Sequence, residues 1–470
     1  TMGLVNIPLD YLSGIGEEMF RELEAVDGLW HRNSDPEKHK LVLDRMVRGA
    51  GCEVLFVTTV VEAIVSQGAI RGVVVESKSG RQAWACKVFV DATGDGDLAA
   101  HVGCGFDVGR PGSGQTQPMS LICLLAGLSP EGVAPFVRGL AEPRGERNPK
   151  GRLLAEMQRA GVTPSYSQPT LFSIRPGLFC LMANHEYGVS ATDAAQITVA
   201  TLRARVEVHK LVSALRSLGG VWKDIQVVAT SEHIGVREGR RIHGRYTVTA
   251  DDLRGGARHA DAVCRVTFPV DVHSTDPARD KGITPEGVRA KPYDISYRAL
   301  VAKDAEGLLL AGRCISGDFI AHSSYRVTGN AVALGEAGDS GWGLMGDDLM
   351  PATAPPTEQP AQHQPGQQTA GHRRRPFGQR CGHHRDQVQI GVDRLAECRC
   401  GRTGPDRSVT GPQVGLEPLR ELADQLGRYV GEHPAAELRG LAGDGQVGTD
   451  HASGGIALIL QRAGDDGRGV

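Results

Sequence analysis

The stretch that decides the fold is Val88-Phe89-Val90-Asp91-Ala92-Thr93-Gly94-Asp95-Gly96-Asp97, where a short apolar run meets two glycines. Its apolar, largely β-branched beginning predicts a short buried strand. The glycines predict a tight turn, because glycine adopts backbone conformations that other residues avoid. A strand that turns directly into a helix is the local unit of α/β proteins that bind nucleotides. The stretch therefore favours the α/β class.

The glycines of this turn also match half of a dinucleotide fingerprint, as Gly94-x-Gly96-x-x-Ala99. Asp95 and Asp97 argue against that interpretation, because they would place carboxylates where a pyrophosphate should lie, and like charges repel. An NAD-linked dehydrogenase is thus a weak alternative. Two interpretations stay open: a plain strand-to-helix turn, and a turn whose backbone lines a bound cofactor.

The residues before the turn predict a helix, a strand and a small antiparallel meander. Asp35-Pro36-Glu37 has the pattern of a helix start, with an N-cap, a proline and an acid. Strands are predicted at 53–61, 70–77 and 83–90. Far downstream, 307–311 predicts another apolar strand, and a loop from 323 leads into a helix that starts at about 328–330.

Several segments, in fixed order, resemble a family of FAD-dependent oxidoreductases with a glutathione-reductase-type FAD-binding fold. The turn segment is similar to the second flavin-contact segment of that family. Four further segments fit it: Gly114–Ser120, His233–Gly244, Pro292–Leu300 and Leu308–Ser316. The resemblance covers roughly residues 1 to 338.

The resemblance implies FAD as cofactor, and transfer of hydride or electrons between the flavin and a small organic substrate, with an electron partner that it does not name. It also implies a set of cofactor-binding residues: Val54 (through its backbone, to adenine), Ala92, Thr93, Gly94, Gly312, Arg313, Arg326, Gly329 and Asn330. A helix N-terminus near 328–330 would stabilise an anionic reduced flavin. The competing interpretation is an ordinary strand-loop-helix with Arg313 in a surface ion pair.

The family begins with a βαβ unit that carries G-x-G-x-x-G, and no such motif precedes residue 91. The expected fold is therefore α/β: a Rossmann-like FAD-binding domain lacking its first βαβ unit, an inserted α+β substrate domain and a low-complexity tail. The expected boundaries are 1–119, 120–290, 291–345 and 346–470. The alternative is a truncated, cofactor-free remnant without activity.

The densest polar cluster of the expected substrate domain is His233 to His243, from which Arg237 and Arg240 are the catalytic candidates. Arginine suits bidentate binding of a carboxylate. As a strand, the segment would place Glu238 and Arg240 on one face. The alternative is a solvated or domain-bridging run of charges. His185, His209 and His273 are predicted to be surface residues or satisfied core residues.

The tail changes composition. From Gly346 onward there is no lysine or tryptophan, with one phenylalanine and one tyrosine. Such a segment predicts a frameshifted or divergent, largely disordered tail, with a natural linker and helical third domain as the alternative. Cys381, Cys398 and Cys400 match no common zinc spacing, so no metal site is expected.

Charge and hydropathy exclude several classes of protein. With 52 Lys+Arg against 55 Asp+Glu, the net charge is −3, which does not favour nucleic-acid binding. No apolar run approaches the roughly 18 residues of a membrane span, and no secretory signal is visible. The expected location is the cytoplasm, with reduced thiols.

Overall fold

The computed structural model describes residues 13–30, 33–138, 148–284 and 286–340, together with one strand, Leu458–Leu460. Contacts divide the chain into two compact units, and every described residue belongs to the unit formed by 1–340 and 409–470. The other unit is 341–408. Apart from the one strand, the predictions made for the tail, including those for its cysteines, lie outside the described residues.

The described part is a mixture of helices and short strands, in agreement with the predicted α/β class. The helices are α1 Gly14–Ala25, α2 Pro36–Gly49, α3 Asp97–Val102, α4 Pro130–Val133, α5 Pro149–Arg159, α6 Ala194–Ser217, α7 Ala250–Gly255, α8 Phe319–Tyr325 and α9 Thr328–Ser340. The strands are β1 Leu29–Trp30, β2 Asn33–Ser34, β3 Glu53–Leu55, β4 Thr58–Ser66, β5 Ala69–Ser77, β6 Gly80–Ala85, β7 Phe89–Asp91, β8 Phe106–Asp107, β9 Cys123–Ala126, β10 Val137–Arg138, β11 Thr170–Arg175, β12 Leu178–Met182, β13 Gln226–Thr230, β14 Arg241–Ile242, β15 Ala262–Val266, β16 Tyr293–Ser296, β17 Leu308–Leu310 and β18 Leu458–Leu460.

The two segments that resemble flavin contacts meet in one parallel pair of strands. β7 pairs with β17, with Phe89 opposite Leu308 and Asp91 opposite Leu310. Parallel strands need cover on both faces, and all three leucines of β17 are buried. The pairing brings the glycine turn beside Gly312, although the two lie more than 200 residues apart in the chain.

The meander forms as predicted, but with different boundaries. β4, β5 and β6 make an antiparallel three-stranded sheet. The strand predicted at 53–61 is interrupted, because Val57 adopts a positive φ of 55° between β3 and β4. The strand predicted at 83–90 was also wrong as a single element: β6 ends at Ala85, and β7 begins at Phe89.

The predicted helix start at Asp35 is confirmed. The Asp35 carboxylate accepts hydrogen bonds from the backbone N–H groups of Glu37 and Lys38. These are donors that the first turn of a helix otherwise leaves without partners.

A second sheet lies in the stretch between the two cofactor segments. Its strand order is β10-β11-β12-β9-β13. It packs with α5 and α6 around a buried cluster that includes Leu153, Met157, Phe179, Leu211 and Trp222. The sheet brings the loop after β12 to the polar site described below. Within the described ranges, no helix has the length and apolarity that a membrane crossing requires.

The end of β9 depends on a glycine. Gly127 has a φ of 77°, and a Cβ at this position would lie 1.7 Å from the Asp224 carbonyl oxygen. We expect Gly127→Ala to lower the free energy of unfolding by about 3 kcal/mol, because the methyl group adds overlap with the backbone to left-handed strain.

Gly161→Ala is the matched control, because Gly161 has a φ of 78° with nothing within 4 Å of a Cβ. Its free energy of unfolding should fall by only about 1 kcal/mol, because backbone strain is then the sole cost. Urea denaturation measures both variants, and equal losses would contradict the steric explanation.

Candidate functional site

The glycine turn is held from inside by the carboxylate of Asp91. This side chain accepts hydrogen bonds from the backbone N of Thr93 (3.0 Å), from Thr93 Oγ1 (2.7 Å) and from the backbone N of Ala99 (2.8 Å). Thr93 Oγ1 in turn accepts from the backbone N of Asp97 at 2.9 Å. The chain's own side chains thus occupy the start of α3. This arrangement argues against phosphate binding there, and with it against the dinucleotide fingerprint.

Two arginines tie the turn to other segments. Arg313 Nη2 lies 2.8 Å from Asp95 Oδ1, and a Cβ on Gly94 would lie 2.8 Å from the same guanidinium. Only glycine therefore allows Arg313 its position over the turn. Arg240 Nη1 donates to Asp97 Oδ1 (2.8 Å) and to the Asp95 carbonyl oxygen (3.0 Å).

These contacts give both arginines a function within the cofactor segments. The repulsion between Asp95 and Asp97 is offset, because each carboxylate has an arginine beside it. Arg240, a catalytic candidate by sequence, is bound to the turn. Arg313 is in an ion pair with Asp95, its side chain is 27% exposed and its Nε is buried, so its contact with a cofactor stays a prediction.

Arg326 connects the return segment to the polar centre. It follows α8, its guanidinium is almost fully buried, and it donates to Gln117 Oε1 (3.1 Å) and the Asp271 carbonyl oxygen (2.8 Å). Its Nη1 donates to the carbonyl oxygen of Arg237 at 3.2 Å. The two arginines predicted for cofactor and for substrate therefore lie next to one another.

The remaining cofactor candidates lie at element ends. Gly312 has a φ of 81° directly after β17, and Gly329 is in the first turn of α9. Asn330 is buried and donates to the Tyr325 carbonyl oxygen at 3.2 Å. Val54 lies in β3, where its register partner is Ile459 of β18. Its contact with adenine stays a prediction.

Arg237 is a partly buried cation, and among the described residues no carboxylate lies within ion-pair distance of it. Its Nη1 donates to the Pro118 carbonyl oxygen (2.7 Å) and to Ser120 Oγ (2.8 Å), while Nη2 reaches only Met182 Sδ at 3.8 Å. No ion pair of Arg237 occurs among the described residues. Burial, with Arg326 beside it, lowers the pKa of Arg237 to about 10, so it is still charged at neutral pH.

Within the rest of the charged run, Glu238 and Arg241 are buried and paired with each other. Arg241 pairs with Glu238 and donates to the carbonyl oxygens of Gly317 (3.1 Å) and Gly109 (3.0 Å). Glu238 also accepts from the backbone N of Gln117 at 3.0 Å. The predicted strand alternation was wrong, because only Arg241–Ile242 is a strand and Glu238 pairs with Arg241 rather than sharing a face with Arg240. The interpretation as a solvated run was also wrong.

Two histidines complete the polar centre. His273 Nδ1 lies 3.1 Å from His185 Nε2, and His185 Nδ1 lies 3.1 Å from the Tyr187 hydroxyl. His273 Nε2 lies 3.5 Å from Asp271 Oδ2. The rings are buried and satisfied, as predicted, but their position beside Arg237 was not foreseen. The only local signal is Asp271-Val272-His273, which places an acid near an imidazole.

Four buried polar atoms near this centre have no hydrogen-bond partner within the described part of the chain: Arg313 Nε, Gln117 Nε2 and both ring nitrogens of His322. Buried polar groups in folded proteins are nearly always paired. A cluster of such atoms on the segments that resemble flavin contacts fits a ligand rich in oxygen and nitrogen. FAD is a ligand of this kind, so the residues present fit the cofactor that the resemblance implies.

A family model described as FAD dependent oxidoreductase matches residues 2–339 of the chain. The chain therefore belongs to this family of FAD-dependent oxidoreductases. FAD, the cofactor expected from the sequence, is the cofactor of the family, and the resemblance is confirmed.

Among solved structures, similar chains are a geranylgeranyl bacteriochlorophyll reductase-like protein from Thermoplasma acidophilum and the L-proline dehydrogenase from P. horikoshii. The first is 12% identical with a TM-score of 0.29, over 65% of this chain and 52% of that one. The second is 12% identical with a TM-score of 0.28, over 66% of this chain and 56% of that one. This chain thus spans about half the length of each of these two solved proteins. No curated protein matches.

The histidine pair predicts a pH dependence. Burial and the charge of Arg237 lower the pKa of His273 to about 3, whereas the unfolded chain binds that proton near pH 6.5. Between these values the unfolded state holds more protons, so the free energy of unfolding falls as the pH falls. Between pH 6.5 and about pH 5, the free energy of unfolding of the natural chain should fall. We expect the fall to be about 2 kcal/mol smaller for His273→Asn.

His209→Asn, on the exposed face of α6, is the control and should leave the pH dependence unchanged. Urea denaturation at the two pH values measures the difference. Equal slopes for the natural chain and His273→Asn would show that His273 is not held neutral.

Proposed function

We propose that this chain transfers a hydride, or the equivalent electrons, between FAD and a small organic substrate that carries a carboxylate. The observation that supports this proposal is Arg237, a partly buried cation beside the cofactor segments that has no ion pair among the described residues and whose Nη2 meets only the weak acceptor Met182 Sδ. The proposal divides the described chain into cofactor segments up to 119 and from 291 onward, with a substrate region at 120–290 between them.

The cofactor is assigned to the region around the glycine turn and the return segment. Ala92, Thr93, Gly94, Gly312, Arg313, Arg326, Gly329 and Asn330 would hold it. When bound, FAD supplies the acceptor or donor of two electrons. The first turn of α9 directs its backbone N–H groups and partial positive charge toward the same end. The ion pair of Arg313 with Asp95 fixes the turn, so this part of the site is rigid before any ligand arrives.

Arg237 is assigned to bind the substrate. Withdrawing a guanidinium from water without an anion beside it is unfavourable, even when the withdrawal is partial, and a carboxylate supplies both the charge and acceptor oxygens. Arg326 adds a second cation, and Asp271 is the one carboxylate recorded near both. These two neighbouring cations therefore favour an anion over a neutral substrate.

The histidine pair is assigned to proton movement. Oxidation of a C–H bond that adjoins an O–H or N–H group releases a proton, which a side chain must accept. Asp271, His273, His185 and Tyr187 form one continuous series of polar contacts from the arginines to the hydroxyl of the partly buried Tyr187. Both imidazoles are neutral, because burial lowers the pKa of each. Each ring can therefore accept on one nitrogen while it donates from the other.

The substrate assignment is tested by anaerobic mixing of the FAD-loaded chain with a panel of 2-hydroxy and 2-amino acids, with loss of the visible flavin absorbance as the readout. For an acid that reduces the flavin, Arg237→Met should weaken substrate affinity by about 10- to 100-fold, because a charge-assisted hydrogen bond is lost. Arg237→Lys should recover part of the loss.

Arg81→Met is the control, because Arg81 pairs with Glu76 in the meander and both side chains are exposed. It should leave substrate affinity unchanged. If the Arg237→Met variant and the natural chain bound every acid that reduces the flavin with equal affinity, the assignment of Arg237 to carboxylate binding would be contradicted. Failure of the FAD-loaded chain to be reduced by any acid in the panel would contradict the substrate class.

A further inference from the structure

His322 is a fully buried histidine that the proposed reaction does not use. It lies in α8, and neither Nδ1 nor Nε2 has a hydrogen-bond partner among the described residues. The edge of its ring meets the ring of Tyr325, with centroids 5.5 Å apart. The contrast with His185 is sharp, because His185 is also buried and has a partner on each nitrogen.

The positive charges of three arginines disfavour protonation of the His322 ring: Arg326, Arg241 and Arg313. Each guanidinium group has a partner of its own. Arg326 donates to the Asp271 carbonyl oxygen and to Gln117. Arg241 pairs with Glu238, and Arg313 pairs with Asp95. Burial is the largest cause, and the arginines add to it, in holding the pKa of His322 well below its ordinary value. The ring is therefore neutral, with one N–H donor and one acceptor nitrogen.

An imidazole in this state lowers the stability of the chain that contains it. A buried polar group without a partner costs about 1 to 3 kcal/mol. Two further buried donors without partners, Arg313 Nε and Gln117 Nε2, belong to residues that contact the turn and Arg326. A ligand with several acceptor atoms would supply partners for these groups together.

We propose that His322 is a ligand-contacting residue of the flavin site, and that its imidazole N–H donates to an oxygen acceptor of the bound ligand. The inference rests on the proposed function and deepens it. The shared chemistry is an oxygen acceptor in a strongly cationic surrounding. Its source is either FAD itself or the carboxylate of the substrate, and the experiment separates the two.

The test compares His322→Leu with His322→Asn, and with His185→Leu as the matched buried histidine. In the absence of ligand, His322→Leu should raise the midpoint of thermal unfolding by about 2 °C, because it removes an unpaired polar group at similar volume. His185→Leu should lower that midpoint, because it leaves Tyr187 and His273 without a partner.

Ligand binding is measured with FAD alone, by quenching of its fluorescence, and then with malonate, by calorimetry, on the chain with and without FAD. His322→Leu should weaken one of the two dissociation constants about tenfold. Weaker FAD binding assigns the acceptor to the cofactor, whereas weaker malonate binding with unchanged FAD binding assigns it to the substrate. His322→Asn keeps an N–H donor and should recover part of the affinity.

The outcomes separate this inference from the proposed function. If the natural chain binds both ligands but His322→Leu alters neither dissociation constant, the inference is wrong and the proposed function stands. A lower unfolding midpoint for His322→Leu without ligand would also overturn it, since the ring would then have a structural partner. If the natural chain binds malonate but not FAD, the proposed function fails, and a tenfold loss of malonate affinity still supports the role of His322.

Discussion

The structure of the site depends on the carboxylate of Asp91, which closes the glycine turn from within. Three hydrogen bonds reach it, from Thr93 twice and from Ala99, so the strand, the turn and the first turn of α3 are held as one unit. The Asp91 backbone carbonyl accepts from the N–H of Ala311 at 2.9 Å, which joins this unit to the return segment. Parallel pairing of β7 with β17 completes the connection. The cofactor segments thus meet through backbone pairing.

Charge compensation divides the polar residues into two groups. Glu238 is paired with Arg241, three residues along the chain, whereas the pairs of Asp95 with Arg313 and of Asp97 with Arg240 join segments that are far apart. Arg237 and His322 lack such partners and lie in the same region. Pairing of a buried charge mainly avoids a penalty, whereas an unpaired group retains that penalty until a ligand arrives. In the function proposed above, the paired set would position the site and the unpaired set would recognise ligands.

The sequence predicted the parts that depend on local chemistry. The N-cap at Asp35, the meander and the strand before Gly94 follow from short-range patterns, and the fixed order of motifs pointed to the FAD-dependent family. Prediction failed where distant residues decide the structure. The segment around Glu238 has the alternation of a strand, yet buried pairing with Arg241 and Gln117 holds most of it as a loop. His185 and His273 are 88 residues apart, and no sequence spacing reveals that their rings meet.

The central claim is that unpaired buried groups near the glycine turn are completed by FAD. The most direct measurement is the thermal unfolding midpoint of the purified chain as FAD concentration is raised, with riboflavin as the comparison. A ligand that binds only the folded chain raises this midpoint with its concentration. The account predicts a steady rise with FAD, and a smaller one with riboflavin, which lacks the phosphates and adenine. An unchanged midpoint at all FAD concentrations would contradict the account.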